Sequence, residues 1–252
     1  MNKEVNKKEV LKETFKIILN KPIILLPMII LVLFSRLQDY LARSYIDIPD
    51  NIKSIEDLMP VLPSILAYFI ISSILLCIIY AIIEGIYTVI IKNILENKDV
   101  NLGTASGLAS KRASVLITSG ILLGFMIMAG TLFFIIPGLL FTIWYFYTIP
   151  FIMFENRGVL DGMKASKEFA RNKKSNTIYF LTIPFLYLFL GSSIAGVVLY
   201  RVPMAYYAIN IVLDSIIFTW YSIIPVYVYL KEFGVERDST GLEHDIWGIE
   251  ER

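Results

Sequence analysis

The sequence predicts an all-α, polytopic membrane fold: six transmembrane helices in three hairpins, with amphipathic helices at the interface. Three observations carry this prediction. Of the 252 residues, 56% are hydrophobic and 18% charged, whereas soluble chains average about 45–50% apolar (with glycine counted) and about 25% charged. Residues 58–83, 113–154 and 175–200 contain no Asp, Glu, Lys or Arg at all. About 20 such residues in a helix cross the roughly 30 Å hydrocarbon layer of a bilayer. Finally, most of the basic residues fall in alternate connections between the apolar runs.

Taken from the N-terminus, residues 5–20 mix lysines with apolar residues at helical spacing and lead into a first span, 22–37. Its uncharged core is short, and Lys16 and Lys21 can snorkel so that the helix begins earlier. The N-terminus lacks the basic start, apolar core and small-residue cleavage site of a secretory signal, so it is expected to be retained. Residues 38–60 form an outer loop with five acids and two bases, in which Ser54 can cap a short helix start. The second span is 63–91.

After an amphipathic segment, 102–112, the 42-residue run is too long for one helix. Ile136-Pro137-Gly138 divides it into spans 113–135 and 139–154, since proline removes a backbone donor and glycine tolerates reversed backbone. In 159–172, Leu160, Met163 and Phe169 alternate with basic residues. That pattern predicts an interfacial helix with its apolar stripe in the headgroup layer and Lys164, Lys167, Arg171, Lys173 and Lys174 toward anionic lipid. An ordinary basic loop is the alternative. Spans 177–200 and 204–230 complete a membrane domain over 1–230. An acidic tail, 231–252, follows, with Trp247 available to the membrane or a partner.

With the N-terminus inside, 19 of the 23 Lys and Arg fall in cytoplasmic segments. Cytoplasmic loops carry the basic excess, so both termini are expected in the cytoplasm, with the protein multi-pass in the cell membrane.

Composition also excludes function classes. One cysteine, Cys77, permits neither an intramolecular disulfide nor a thiolate cage, and one histidine, His244, rules out paired-histidine zinc sites. No cofactor is expected. The net charge of +1 gives no nucleic-acid footprint. The expected partners are the lipid bilayer and, beyond it, a membrane protein or a second copy of the chain.

Two acids fall inside spans, Glu84 and Asp214. An ionisable group near the bilayer centre costs about 2.5–3.5 kcal/mol on insertion scales, which makes it a candidate site. Glu84 borders a ridge of small residues, Ser73, Cys77, Ala81 and Gly85, with Tyr80 one turn away. Asp214 lies on a stripe with Tyr207, Asn210 and Tyr221 expected to face the bundle. Two readings stand. Glu84, Asp214, Asn210 and Tyr80 form an intramembrane binding or proton site, or the acids serve packing through hydrogen bonds to neighbouring helices. Counted from Lys92 and Leu230 at 1.5 Å per residue, the two acids differ in depth by about 12 Å, so no direct pair is expected.

Pro27, Pro150, Pro184 and Pro225 sit at similar distances from the cytoplasmic ends of four spans. Kinks there would open a cavity toward the cytoplasm with Glu84 near its floor. Gly120 and Gly124 make a GxxxG, and Ser192 with Gly196 a weaker version, both expected to pack within the chain.

The segment Phe134-Ile135-Ile136-Pro137-Gly138-Leu139-Leu140, continuing through Trp144-Tyr145 and Pro150-Phe151, resembles a motif of a widespread polytopic family. Glu155-Asn156-Arg157-Gly158, Asp161-Gly162-Met163-Lys164-Ala165-Ser166-Lys167 and Arg171-Asn172 extend the match. This family includes the membrane domain attached to some bacterial glycerophosphoryl diester phosphodiesterases, together with stand-alone members of unknown function. The resemblance covers about residues 100–200, with 12–33 similar in character, and implies a six-helix membrane module. The chain departs from the fused members in ending at Arg252 without a catalytic barrel or a histidine–carboxylate set. No phosphodiesterase activity and no family catalytic residue carries over. The expectation is a non-enzymatic membrane module packing with lipids or membrane partners; the alternative is a small permease using the intramembrane acids.

Overall fold

A computed structural model describes residues 6–46, 59–133, 135–199 and 201–234. Ser54, Trp247, His244 and nearly all of the acidic tail lie outside the described residues. Those described are helical throughout, with no strand among them. Ten helices run in order: α1 (Lys7–Asn20), α2 (Leu26–Tyr45) after a 3-10 turn at Pro22–Leu25, α3 (Leu62–Leu95), α4 (Leu102–Lys111), α5 (Ala113–Phe133), α6 (Ile135–Tyr145), α7 (Thr148–Phe154), α8 (Val159–Asn172), α9 (Lys174–Leu199) and α10 (Pro203–Phe233). Six helical stretches are long and apolar enough to cross a membrane: Pro22–Ala42, Leu62–Leu95, Ala113–Thr131, Ile136–Phe154, Lys174–Val197 and Met204–Phe233.

The boundaries follow local chemistry. Asn6 and Asn101 open α1 and α4 as N-caps, their side chains accepting from the Lys8 and Thr104 amides at 3.1 and 3.0 Å. The first span runs further than the sequence suggests. α2 continues past residue 37 to Tyr45, carrying Arg36, Gln38 and Asp39 on the helix rather than in a loop. Arg36 is tolerated there because it meets Asp214 of α10.

The long uncharged run is also divided differently. α6 begins at Ile135, so Pro137 and Gly138 lie in its first turn, where the missing proline N–H has no intrahelical partner to lose. A second interruption falls at Phe146–Tyr147, between α6 and α7. Ser166 of α8 bridges it: its hydroxyl accepts from the Tyr147 amide at 3.1 Å and donates to the Trp144 carbonyl at 2.8 Å. Gly162 lets α8 press onto α7, because a Cβ there would meet the Ile152 side chain at 2.6 Å.

Small residues set the closest helix approach. The α3 ridge meets α5: a Cβ on Gly120 would lie 2.6 Å from the Cys77 carbonyl oxygen, and one on Gly85 would lie 2.7 Å from Leu116. The GxxxG is therefore used within the chain.

The packing is unequal along the bundle. At the end carrying α1, α4 and α8, Tyr87, Tyr147, Phe180, Ile24, Met28 and Ile90 are fully buried. The Tyr87 hydroxyl reaches the Ile24 carbonyl at 2.9 Å and Thr219 Oγ1 at 3.1 Å, and Trp220 Nε1 donates to Thr14 Oγ1 at 2.9 Å. Toward the other end Phe69, Ile71, Phe185, Phe189, Ile194 and Val212 are exposed, as suits contact with hydrocarbon.

This corrects the proline argument. Pro27 and Pro150 occupy first turns of α2 and α7, each just after an interruption of the helix; of the four, Pro184 and Pro225 lie inside helices. The α1/α8 end is closed by apolar packing, and the cavities lie beyond it.

The α8 stripe is corrected as well. Met163 is buried, and Phe169 stacks edge-on against Tyr147 at 4.8 Å and lies 5.6 Å from Phe233, so this face docks on the bundle. Leu160 alone of the three is exposed. Lys164, Arg171 and Lys174 point to solvent. Lys167 lies over the Trp144 ring at 4.3 Å, and Lys173 is committed to Glu232 at 2.6 Å rather than free for a headgroup.

Candidate functional site

Two cavities lie between the helices on the open side of the closed end. The wider, about 830 Å³, is bordered by α2, α3, α6, α9 and α10. Its walls are apolar (Leu31, Val32, Leu76, Leu181, Phe185 and Ile217 among them), and its one charged cluster is Arg36 with Asp214. Arg36 Nη2 donates to Asp214 Oδ2 across the α2–α10 contact. The Arg36 side chain keeps 43% of its surface exposed and that of Asp214 12%. A guanidinium presents five N–H groups, more than one carboxylate takes up.

The narrower cavity, about 380 Å³, lies between α3, α5, α6, α7 and α10 and holds Glu84. No Lys or Arg lines it; its walls include Phe69, Tyr80, Tyr145, Phe146 and Tyr221. Ser222 Oγ donates to Tyr80 Oη at 2.9 Å, tying α10 to α3 one helical turn from Glu84. Cys77, Tyr80, Thr142 and Tyr221 border both cavities.

The sequence-selected residues thus divide. Glu84 and Tyr80 line one cavity together, and Asp214 lines the neighbouring one. Asn210 is buried but lines neither cavity; its Nδ2 donates to the Tyr206 carbonyl of its own helix at 2.8 Å. Tyr207 is 53% exposed and faces away from the bundle, which corrects its place on the inward stripe.

Sequence reasoning missed Arg36 and underused Tyr221, Thr142 and Cys77. The signal for Arg36 was its place immediately after an uncharged run, paired with the need of Asp214 for a counter-charge. Among the described residues no group of three or more His, Cys, Asp or Glu gathers to hold a metal ion.

The part of the motif from Glu155 onward lies at the turn between α7 and α8 and along α8. Glu155 accepts from Tyr229 Oη at 2.8 Å and from Arg157 Nε at 2.6 Å, and Arg112 Nη2 donates to the Arg157 carbonyl at 2.7 Å. Asn156 takes a positive φ of 51° in the turn between them, a conformation asparagine tolerates better than most residues. These contacts hold the closed end together and lie away from both cavities.

Comparisons of the chain with protein-family models, with curated proteins and with solved structures find no match.

Proposed function

We propose that this protein is a non-enzymatic integral membrane module that holds an amphiphile of the bilayer in its wider cavity. The apolar walls take the hydrocarbon part, and the remaining donors of Arg36 take an acceptor group on its polar part. The observation that carries this reading is a cavity of about 830 Å³ whose only charged lining is the Arg36–Asp214 pair. Ligand pockets occupy about 300–1,000 Å³, mostly apolar with a few placed polar groups.

In this reading the six apolar stretches cross the cell membrane as three hairpins, and both ends of the chain are cytoplasmic. The basic excess of the connections at the α1/α8 end supports that orientation. α1, α4 and α8 lie in the headgroup layer by their outer faces, where Lys164, Lys167, Arg171 and Lys174 meet anionic lipid. The resemblance to the membrane domain of the phosphodiesterase family points to the same six-helix arrangement.

The test is the purified protein's complement of bound amphiphile, measured by mass spectrometry after detergent exchange, against a Leu188→Trp variant that fills the cavity. About one molecule per chain is expected in the wild type, and its loss in the variant. Equal retention by both proteins would show that the cavity is not the site.

A second reading, a small permease, is favoured by one observation: the two cavities share Cys77, Tyr80, Thr142 and Tyr221 as a common wall. Displacing that wall would join them past Glu84. Solute flux in reconstituted vesicles, abolished by Glu84→Gln, would support it.

A further inference from the structure

We propose that the Glu84 cavity is a site for a lipophilic monovalent organic cation, such as an aryl-substituted ammonium. The inference rests on reading the cavities as binding chambers, but not on which amphiphile fills the wider one.

Three features of the chamber converge. First, Glu84 is its single carboxyl group, and no basic residue lines it; the only base near the cavities, Arg36, belongs to the other chamber and is held by Asp214. Charge complementarity therefore favours a cation and disfavours an anion. Second, Phe69, Tyr80, Tyr145, Phe146 and Tyr221 line the same chamber as Glu84, with Tyr80 one turn from it on α3. Aromatic faces attract a cation within about 6 Å of the ring centroid, the more so when it is desolvated. Third, the remaining walls are mostly apolar, with Leu123, Ile127 and Met128 of α5 opposite α3 and the hydroxyls of Ser73, Thr131 and Thr142 between them. A divalent metal ion would find a single charged ligand there. An organic cation brings its own apolar surface and needs only one counter-charge.

Tyr80 supports the same role. Ser222 Oγ donates to Tyr80 Oη at 2.9 Å, which fixes this ring one helical turn from Glu84 in the chamber wall. Cys77, the only cysteine of the chain, borders the chamber, and a Cβ on Gly124 would touch its sulfur, which places the thiol at the α3–α5 wall. It is a native reporter of occupancy.

The experiment uses full-length protein in nanodiscs and a matched pair of probes: benzyltrimethylammonium and its neutral carbon isostere, neopentylbenzene. Binding is followed by calorimetry and by the rate of Cys77 alkylation with a small apolar maleimide. The cation is expected to bind and to slow alkylation at least threefold, with the isostere at least tenfold weaker. Glu84→Gln is expected to remove this preference, and Glu84→Asp to keep part of it. Equal affinity for the two probes, or an unchanged preference in Glu84→Gln, overturns the proposal, as does failure of the cation to bind. Should Glu84→Gln fail to fold, the probe contrast in the wild type and Glu84→Asp decides. Amphiphile retained in the wider cavity without cation preference defeats this inference alone; cation binding without retained amphiphile defeats the amphiphile reading alone.

Discussion

An isolated aspartate in an apolar helix carries an insertion cost of about 2.5–3.5 kcal/mol, and Asp214 lowers it by meeting Arg36. Removing one partner and removing both are then different experiments. Arg36→Leu leaves a buried carboxylate alone; for a fully buried pair that costs about 3–5 kcal/mol, and the exposure of Arg36 brings the expected loss to about 2. The double variant Arg36→Leu/Asp214→Leu should recover most of it. Tryptophan-fluorescence melting in detergent measures both, and strictly additive losses would show that the pair is not coupled. Ser166 makes a second residue-scale case. Ser166→Ala leaves the buried Tyr147 amide without a partner, for an expected loss of about 1–3 kcal/mol; a melting temperature equal to wild type would mean that another group bridges the break. Asp214 was legible in the sequence because a charge inside an apolar run stands out. Arg36 was not, because it sits just past an uncharged stretch and reads as the beginning of a loop until a partner is seen. Ser166 was legible only as part of a motif, since the gap it bridges is nineteen residues away.

At the scale of elements, the α3–α5 contact shows how far a sequence pattern reaches. Ser73, Cys77, Ala81 and Gly85 on one helix and Gly120 and Gly124 on another are each legible as small-residue ridges from spacing alone. That the two ridges meet each other follows only from the fold. Because a Cβ on Gly120 would lie 2.6 Å from a backbone oxygen, no side-chain motion relieves the clash, and Gly120→Leu must separate the helices. We expect a loss of about 1–3 kcal/mol or more, the range of overpacked cores. Gly107 of α4 is the control: nothing lies within 4 Å of its Cβ position, so Gly107→Ala should stabilise by about 1 kcal/mol through helix propensity. Thermal unfolding of the two variants checks both signs, and a neutral Gly120→Leu would mean the helices are not held at that distance. The break at Phe146–Tyr147 was legible in part: Pro150 lacks the N–H that would bond the Phe146 carbonyl, whereas its bridging by Ser166 of α8 follows only from the fold. Pro137 marked the division of the long run to within a few residues, although it lies in the first turn of α6 rather than between the helices.

For the whole molecule, the six apolar stretches were legible because hydrophobic length is a property of the chain, whereas which end of the bundle closes is a property of side chains that meet from different helices. Prolines at one depth suggested an opening at the basic end. That end is instead closed by Tyr87, Tyr147 and Trp220, each large and each satisfied by a hydroxyl or carbonyl from another element. With the basic end in the cytoplasm, both cavities lie on the far side of this seal, toward the outer leaflet, and a ligand reaches them laterally or from outside. The orientation can be tested in a Cys77→Ala background, which removes the one native thiol. Met59, which is 60% exposed, and Lys164, also exposed, lie at opposite ends of the bundle. A membrane-impermeant maleimide applied to intact cells should label Met59→Cys, and Lys164→Cys only after permeabilisation. The reverse pattern would turn the bundle over, place the cavities toward the cytoplasm and leave the basic excess to be explained by something other than topology. Because the fold itself would survive that outcome, the labelling isolates orientation from architecture, and it fixes from which side a cation must be supplied to reach Glu84.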